Sequence, residues 1–145
     1  KCPILHKMRA YHILMDASSV QVTSNPIADP VDLGFSVLSK LDCNFPKTSI
    51  GRNLKIIVGL VTLKVQASKW DSNTFRNLPV ASDVTDAAVV KTLDKFSHEV
   101  YFSNPELLPM SILKSFRRTM SNGISPYSPP AFATVGLMMV SHLNN

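Results

Sequence analysis

The sequence predicts an α+β fold in which a mainly antiparallel sheet packs with two or three short helices. Three observations favour this class. Apolar residues alternate along several segments, most clearly over residues 54–67, as they do in strands. Asp29 and Pro30 precede a segment with helical spacing of its apolar residues. Ten prolines among 145 residues divide the chain into short elements. We expect one domain that spans residues 1–145.

The first predicted elements are two strands. Side chains alternate between two faces along residues 7–15, which favours a strand with one buried face. Val20 and Val22 repeat the period of two over residues 18–24. This second segment is therefore expected to be the hairpin partner of the first.

A helix is expected to follow. Asp29 can accept hydrogen bonds from the first-turn amides, and Pro30 suits the first helical position. Apolar side chains then recur at helical spacing from Val31 to Leu41, so that one stripe faces a core. Pro46 prevents the helix from continuing, and residues 44–51 are assigned to a loop.

Residues 54–67 give the strongest strand signal. Both alternating sets of side chains are largely apolar in the middle of this segment. This is typical of a central strand that is covered on both faces. Gly59 is interpreted as a bulge or a close crossing.

The second half of the chain is assigned by the same rules. It is expected to contain a loop, a helix, a strand, a second helix and a last strand: residues 68–79, 83–93, 96–102, 110–120 and 131–143. Asp83 is the expected cap of the first of these helices. Asn122 and Gly123 tolerate a left-handed backbone and would end the second.

No motif in the sequence indicates a catalytic or cofactor-binding site. Phosphate-binding glycine loops, a dinucleotide-binding turn and a nucleophile elbow are all missing from the sequence. Cys2, His6 and His12 match no common zinc spacing. We therefore expect a protein that is not an enzyme and that uses no metal or cofactor. Two cysteines are too few for a disulfide scaffold, and they favour a reducing, intracellular environment.

The charge distribution points instead to an anionic partner. Only 17% of the residues are charged, yet the formal net charge is +5. Residues 1–69 carry nine basic and four acidic side chains, whereas residues 70–145 carry six of each. Between residues 40 and 76, seven basic residues face two acids. These seven are the candidate contacts with phospholipid or nucleic-acid phosphate: Lys40, Lys47, Arg52, Lys55, Lys64, Lys69 and Arg76. The alternative is that they only solvate a small domain.

Two further sets of side chains complete the candidate site. Trp70 and Phe75, with basic neighbours in a polar loop, suit membrane insertion, base stacking or docking into another copy, or else they cover the edge of the core. Arg117 and Arg118 form a smaller basic pair. Each basic residue contributes at most about 1 kcal/mol near an anionic bilayer. Firm attachment of so weakly charged a chain would therefore require several linked copies, and we expect self-association.

The order of these elements resembles the globular domain of rhabdovirus matrix proteins. The resemblance is carried by Pro30-Val-Asp-Leu, by Leu38-Ser-Lys-Leu-Asp, and by Gly51-Arg-Asn-Leu-Lys-Ile-Ile-Val-Gly-Leu. A strand, a helix with a basic pair and a final apolar strand over residues 96–140 extend it. Members of that family usually begin with a basic tail that carries a proline-tyrosine budding motif. This chain lacks both, and we expect that the N-terminal tail is missing.

The resemblance implies a structural viral matrix protein. Such proteins coat the inner face of the envelope in the virion, condense the ribonucleoprotein, and self-associate when a docking segment enters a pocket of the next copy. The implied partners are further copies of the chain, anionic phospholipid membrane and viral RNA, and the implied location in the host is peripheral to membranes in the cytoplasm or nucleus. A viral or cellular nucleic-acid-binding domain without a matrix role is the alternative.

Overall fold

The described part of the protein is built from helices. The computed structural model describes residues 4–20 and 29–143, and these contain no sheet, only an isolated parallel bridge between Val80 and Ile124. The predicted α+β class with a mainly antiparallel sheet is therefore wrong. The helices are α1 (Met8–Val20), α2 (Pro30–Lys40), α3 (Ser49–Ala67), α4 (Ser72–Arg76), α5 (Val84–Ser103), α6 (Leu108–Asn122) and α7 (Pro129–Leu143), with 3-10 turns at Leu5–Lys7 and Pro105–Leu107.

The starts of α2 and α5, which depend on an aspartate cap, were predicted correctly. The Asp29 carboxylate accepts a hydrogen bond of 2.8 Å from the Val31 amide, and Pro30 is the first residue of α2. Asp83 accepts one of 2.7 Å from the Thr85 amide at the start of α5. Gly123 ends α6 with φ of 105°, a conformation that glycine adopts without strain.

Segments that were predicted as strands are helical. Residues 7–15 lie in the first 3-10 turn and α1, residues 54–67 in α3, residues 96–102 in the second half of α5, and residues 131–143 in α7. The predicted loop 68–79 contains α4, which begins with a reciprocal capping box between Asp71 and Thr74. Of the predicted hairpin strand 18–24, the first three residues belong to α1, and the rest lie outside the described residues. Where most residues of a segment are apolar, their spacing fits the period of two of a strand and the period of 3.6 of a helix equally well. Periodicity alone therefore does not distinguish the two structures in such a segment.

The first core is formed by α1, α2 and α5 around Phe96. Its ring is fully buried and packs against Phe35 and Phe45 at centroid distances of 5.0 and 5.4 Å. Gly34 of α2 makes this possible, because a Cβ atom at that position would lie 2.4 Å from the Phe96 ring. The absence of a side chain at Gly34 therefore sets the separation of α2 and α5.

The second core is formed by α3, α6 and α7. Leu63, Leu113, Phe116 and Val135 are buried there. Helix α3 approaches α6 closely at Gly59, where a Cβ atom would lie 2.9 Å from the Leu113 Cδ1 atom. Gly59 thus marks a close crossing, one of the two alternatives expected, but it is a crossing of two helices, and the strand in which it was expected is wrong.

Contacts between α5 and α6 join the two cores. The hydroxyl groups of Ser97 and Ser111 lie 2.7 Å apart across this helix pair. On the same pair, Arg118 donates a hydrogen bond of 2.6 Å to Asp86. Since α6 packs on α3 and α7 on its other sides, it is the element that positions the surfaces described below.

Candidate functional site

Helix α3 has one packed face and one open face. Thr48 caps its first turn by accepting a hydrogen bond of 3.2 Å from the Gly51 amide. Gly59 and Leu63 are its buried residues, and both face the second core. The opposite face carries no neighbouring helix within the described residues.

The open face of α3 is apolar. Ile50, Leu54, Ile57, Val61 and Val65 recur at i, i+4, i+7, i+11 and i+15, which places them on one line along the helix, and Val58 lies beside them. These six side chains, which we call the α3 stripe, are 53–82% exposed. A continuous exposed row of aliphatic side chains is a feature of surfaces that contact a membrane or a partner.

Basic side chains flank the α3 stripe. Lys55 lies on one side of it and Lys64 on the other, both are exposed, and α3 contains no acidic residue. Arg52, also in α3, differs from them, because its guanidinium lies 3.6 Å from the Glu106 carboxylate. The open face of α3 therefore combines apolar and cationic groups, the pattern of helices that lie at a membrane surface.

The other predicted basic residues are dispersed. Lys40 ends α2, where its ammonium lies 3.3 Å from the Tyr11 hydroxyl and over that ring. Lys47 is exposed before α3, and Arg76 is exposed at the end of α4. Of the seven candidates, four lie on α3 or within two residues of it without an ion pair to a described residue: Lys47, Lys55, Lys64 and Lys69.

Trp70 and Phe75 belong to an aromatic cluster at the edge of the second core. The Trp70 ring lies 5.3 Å from that of Phe75 and 5.6 Å from that of Phe116. Phe132 of α7 completes the cluster at 5.9 Å from Phe75. Trp70 is half-buried and Phe75 is 37% exposed, so their first contact is with the protein itself.

Arg117 and Arg118 point to different neighbours. Arg118 is paired with Asp86 of α5. Arg117 crosses toward α3, where its Nη2 atom lies 3.5 Å from the Gly59 carbonyl oxygen. Successive helical residues point about 100° apart, so a pair that is adjacent in sequence is divided between two sides of α6.

The seam between α3 and α6 contains two adjoining clefts that share Arg117 and Val58. The smaller, of about 270 Å³, is also lined by Lys55 and Lys114. The larger, of about 680 Å³, is also lined by Lys69 and Trp70. Every ionisable side chain that lines either cleft is cationic.

A second exposed apolar surface lies on the other side of α6. A groove of about 440 Å³ between α5, α6 and α7, which we call the α5–α7 groove, is lined by apolar residues that include Tyr101, Phe102 and Leu137. Its ionisable lining differs from that of the seam, because it contains Asp94 and His98. Burial raises the pKa of the Asp94 carboxyl, while the nearby His98 opposes this shift.

The first core contains two titratable groups. His12 is buried, and its Nε2 atom lies 3.0 Å from the Thr92 hydroxyl oxygen. Thr92 itself donates to the Ala88 carbonyl, so the imidazole is the donor in this contact. Burial, with Lys91 and Lys95 nearby, lowers the pKa of His12 to about 4. Burial likewise raises the pKa of the Cys43 thiol.

The sequence reasoning missed the α3 stripe and Lys114. The stripe was hidden because residues 54–67 were assigned to a strand, in which its members would be divided between two faces. A cap at Thr48 and the recurrence from Ile50 to Val65 would have revealed the helix. Lys114 becomes part of the seam only through the packing of α6 against α3, which no local pattern encodes.

Three comparisons bear on the identity of the chain. No family model, no curated protein and no solved structure matches it. In the described ranges, no helix is both long and apolar enough to cross a membrane.

Residues 4–20 and 29–143 contain no group of three His, Cys, Asp or Glu side chains that could hold a metal ion. Cys2, which was considered with His6 and His12 as a zinc ligand, lies outside these residues.

Proposed function

We propose that this protein is a non-enzymatic structural protein that attaches to an anionic membrane surface through α3 and associates there with further copies. The observation that carries the proposal is the α3 stripe with Lys55 and Lys64 on either side of it. An interfacial helix requires this combination, because its apolar side chains enter the acyl boundary while its cations remain among the headgroups.

The magnitudes suit reversible attachment. Moving the exposed half of an aliphatic side chain out of water contributes about 1 kcal/mol. Each nearby Lys or Arg contributes a further ~1 kcal/mol at an anionic surface. The six residues of the α3 stripe therefore contribute at least as much binding free energy through apolar burial as the basic residues contribute through electrostatic attraction. We expect attachment to require both contributions.

Self-association is the second part of the proposal, and the α5–α7 groove is its site. On α6, Leu108 and Ile112 line this groove, whereas Leu113 and Arg117 face α3, so that both surfaces can be used at once. The Asp94 carboxylate at the groove is repelled by an anionic membrane. A second copy of the chain, with its surplus of basic side chains, has the complementary charge.

This proposal rests on the surface of α3 rather than on the resemblance to matrix proteins. The strands that carried that resemblance are helices, so the fold that it implied is wrong. A matrix role in a virion, with binding to the viral ribonucleoprotein, remains a proposal that follows from attachment to membrane and self-association. Binding to RNA in place of lipid is the alternative.

Vesicle co-sedimentation with cross-linking tests both parts. Wild-type protein should bind vesicles that contain phosphatidylserine, bind phosphatidylcholine vesicles weakly, and release at high salt. Replacing two stripe residues, Ile57→Gln with Val61→Gln, should reduce binding about 30-fold, because two apolar contacts of ~1 kcal/mol each are lost. Bound wild-type protein should form cross-linked oligomers.

The matched control is a second pair of exposed aliphatic residues on α7. Leu137→Gln with Val140→Gln changes side chains of similar exposure, 68% and 63%, and Leu137 lines the α5–α7 groove. This variant should retain vesicle binding and lose the cross-linked oligomers. Equal losses for the two double variants would contradict the division of roles. Tight binding to single-stranded RNA, with no response to lipid charge, would favour the nucleic-acid alternative.

A further inference from the structure

The smaller cleft between α3 and α6 has the composition of an anion site. Lys55, Lys114 and Arg117 line one cleft of about 270 Å³, with no carboxylate among its lining residues. Neither Lys55 nor Arg117 forms an ion pair with a described residue, and the Lys114 ammonium lies 5.1 Å from the centre of the Phe45 ring. Three cations that line one cleft without an acid repel one another, and a bound anion would balance their charge.

Arg117 is held in a suitable position for such an anion. Its guanidinium lies against the backbone of α3, where the Nη2 atom is 3.5 Å from the Gly59 carbonyl oxygen. Among the described residues, the Gly59 carbonyl is the hydrogen-bond acceptor that Arg117 contacts, so most of its five N–H donors are available to a ligand. A guanidinium matches the geometry of phosphate oxygens, which accept two parallel hydrogen bonds from it.

The cleft also opens onto the surface that we assign to the membrane. Val58 lines it and belongs to the α3 stripe. An anion bound by Arg117 would therefore lie beside the apolar side chains, as a phosphate group lies beside acyl chains. Arg118, by contrast, has its charge balanced by Asp86 and is directed at α5.

We propose that Lys55, Lys114 and Arg117 form a binding site for a phosphate monoester, and that its source is the headgroup of an anionic lipid. The choice of lipid as the source rests on the proposed function of α3, whereas the phosphate chemistry does not. A monoester is favoured over a diester because it carries up to two negative charges and three terminal oxygens for three cations.

The test compares two anionic lipids at matched surface potential. Wild-type protein should bind vesicles containing phosphatidic acid, a monoester, about tenfold more tightly than vesicles containing phosphatidylserine. Arg117→Gln should abolish this preference and leave most of the binding to phosphatidylserine. Lys64→Gln, which removes an exposed cation of α3 outside the cleft, should weaken binding to both lipids and keep the preference.

A second arm uses glycerol 3-phosphate in solution and follows, by NMR, the backbone amide signals of residues 55–59 and 113–116, which Arg117→Gln retains. Saturable shifts that Arg117→Gln removes, in a protein that binds no vesicles, would support the phosphate site and overturn lipid as its source. Absence of both the lipid preference and the shifts would overturn the site, while binding to phosphatidylserine through the α3 stripe could persist. Shifts that appear only with single-stranded RNA would overturn the monoester assignment.

Discussion

The first core, around Phe96, and the second core, around Phe116, contain the same kinds of residues, but the helices of the first core are covered by neighbours more completely than α3 of the second. Helix α5, the central element of the first core, packs against α1, α2 and α6. Helix α3 of the second core packs mainly against α6, and its other face is open. The first core therefore buries its aliphatic side chains around one ring, and the second leaves a row of them in water.

This difference distinguishes aliphatic residues that the fold buries from aliphatic residues that stay exposed and can contact a partner. Residues of α5 such as Val89, Leu93 and Val100 are 0% exposed, which is the result expected when folding alone determines a position. The α3 stripe has similar residue types, yet the fold gains little from them. Exposed aliphatic side chains beside cations that form no ion pair with a described residue are a feature of surfaces that contact a membrane or a partner.

The largest effect that we predict is loss of stability on truncation of the first core. Phe96→Ala should lower the free energy of unfolding by about 4 kcal/mol, because it removes a buried ring that Phe35 and Phe45 cannot replace. Urea denaturation measures this loss.

Phe102 provides the matched control for Phe96. It lies six residues later in α5 and is 83% exposed, so Phe102→Ala should change stability by less than about 0.5 kcal/mol. Similar losses for the two variants would show that the first core is not centred on Phe96.

A smaller effect is expected from pH, again in the first core. The unfolded chain protonates His12 near its ordinary pKa of 6.5, whereas the folded protein holds this pKa at about 4. Between these values the unfolded state binds more protons, so stability should fall as the pH is lowered, by about 3 kcal/mol in total. Above pH 6.5 this contribution is fully present.

Urea denaturation at pH 4 and at pH 7 measures this dependence. His12→Gln should flatten it, because this variant lacks the buried group that takes up the proton on unfolding. The prediction fails if wild-type protein is equally stable at both pH values, or if His12→Gln retains the full dependence.

Some helices could be predicted from their local sequence and others could not. Starts of α2 and α5 were predictable because Asp29 and Asp83 cap them within two residues. Helix α3 was mistaken for a strand because β-branched residues fill both alternating sets between Ile56 and Val61. Its length was the overlooked signal: strands usually have about five or six residues, and this apolar segment is more than twice as long.

The candidate site was predictable in charge but not in geometry. The basic surplus of the first half of the chain identified Lys55, Lys64 and Lys69 directly. Arg117 was singled out only as one of a pair, since its separation from Arg118 depends on the contacts of α6 with α3 and α5. Tertiary packing thus decides which of two adjacent arginines is available to a partner.

The smallest effect that we predict concerns the stability of the α3 stripe variant itself. Ile57→Gln with Val61→Gln should change the free energy of unfolding by less than about 0.5 kcal/mol, because both side chains are 59% exposed and glutamine favours a helix over β-branched residues. Urea denaturation of the variant beside wild type provides the measurement. A loss of several kcal/mol would place these residues in a folding contact and remove the reason for assigning them a partner. An unchanged stability, combined with weakened vesicle binding, would mean that α3 keeps this face apolar for a membrane and not for the fold.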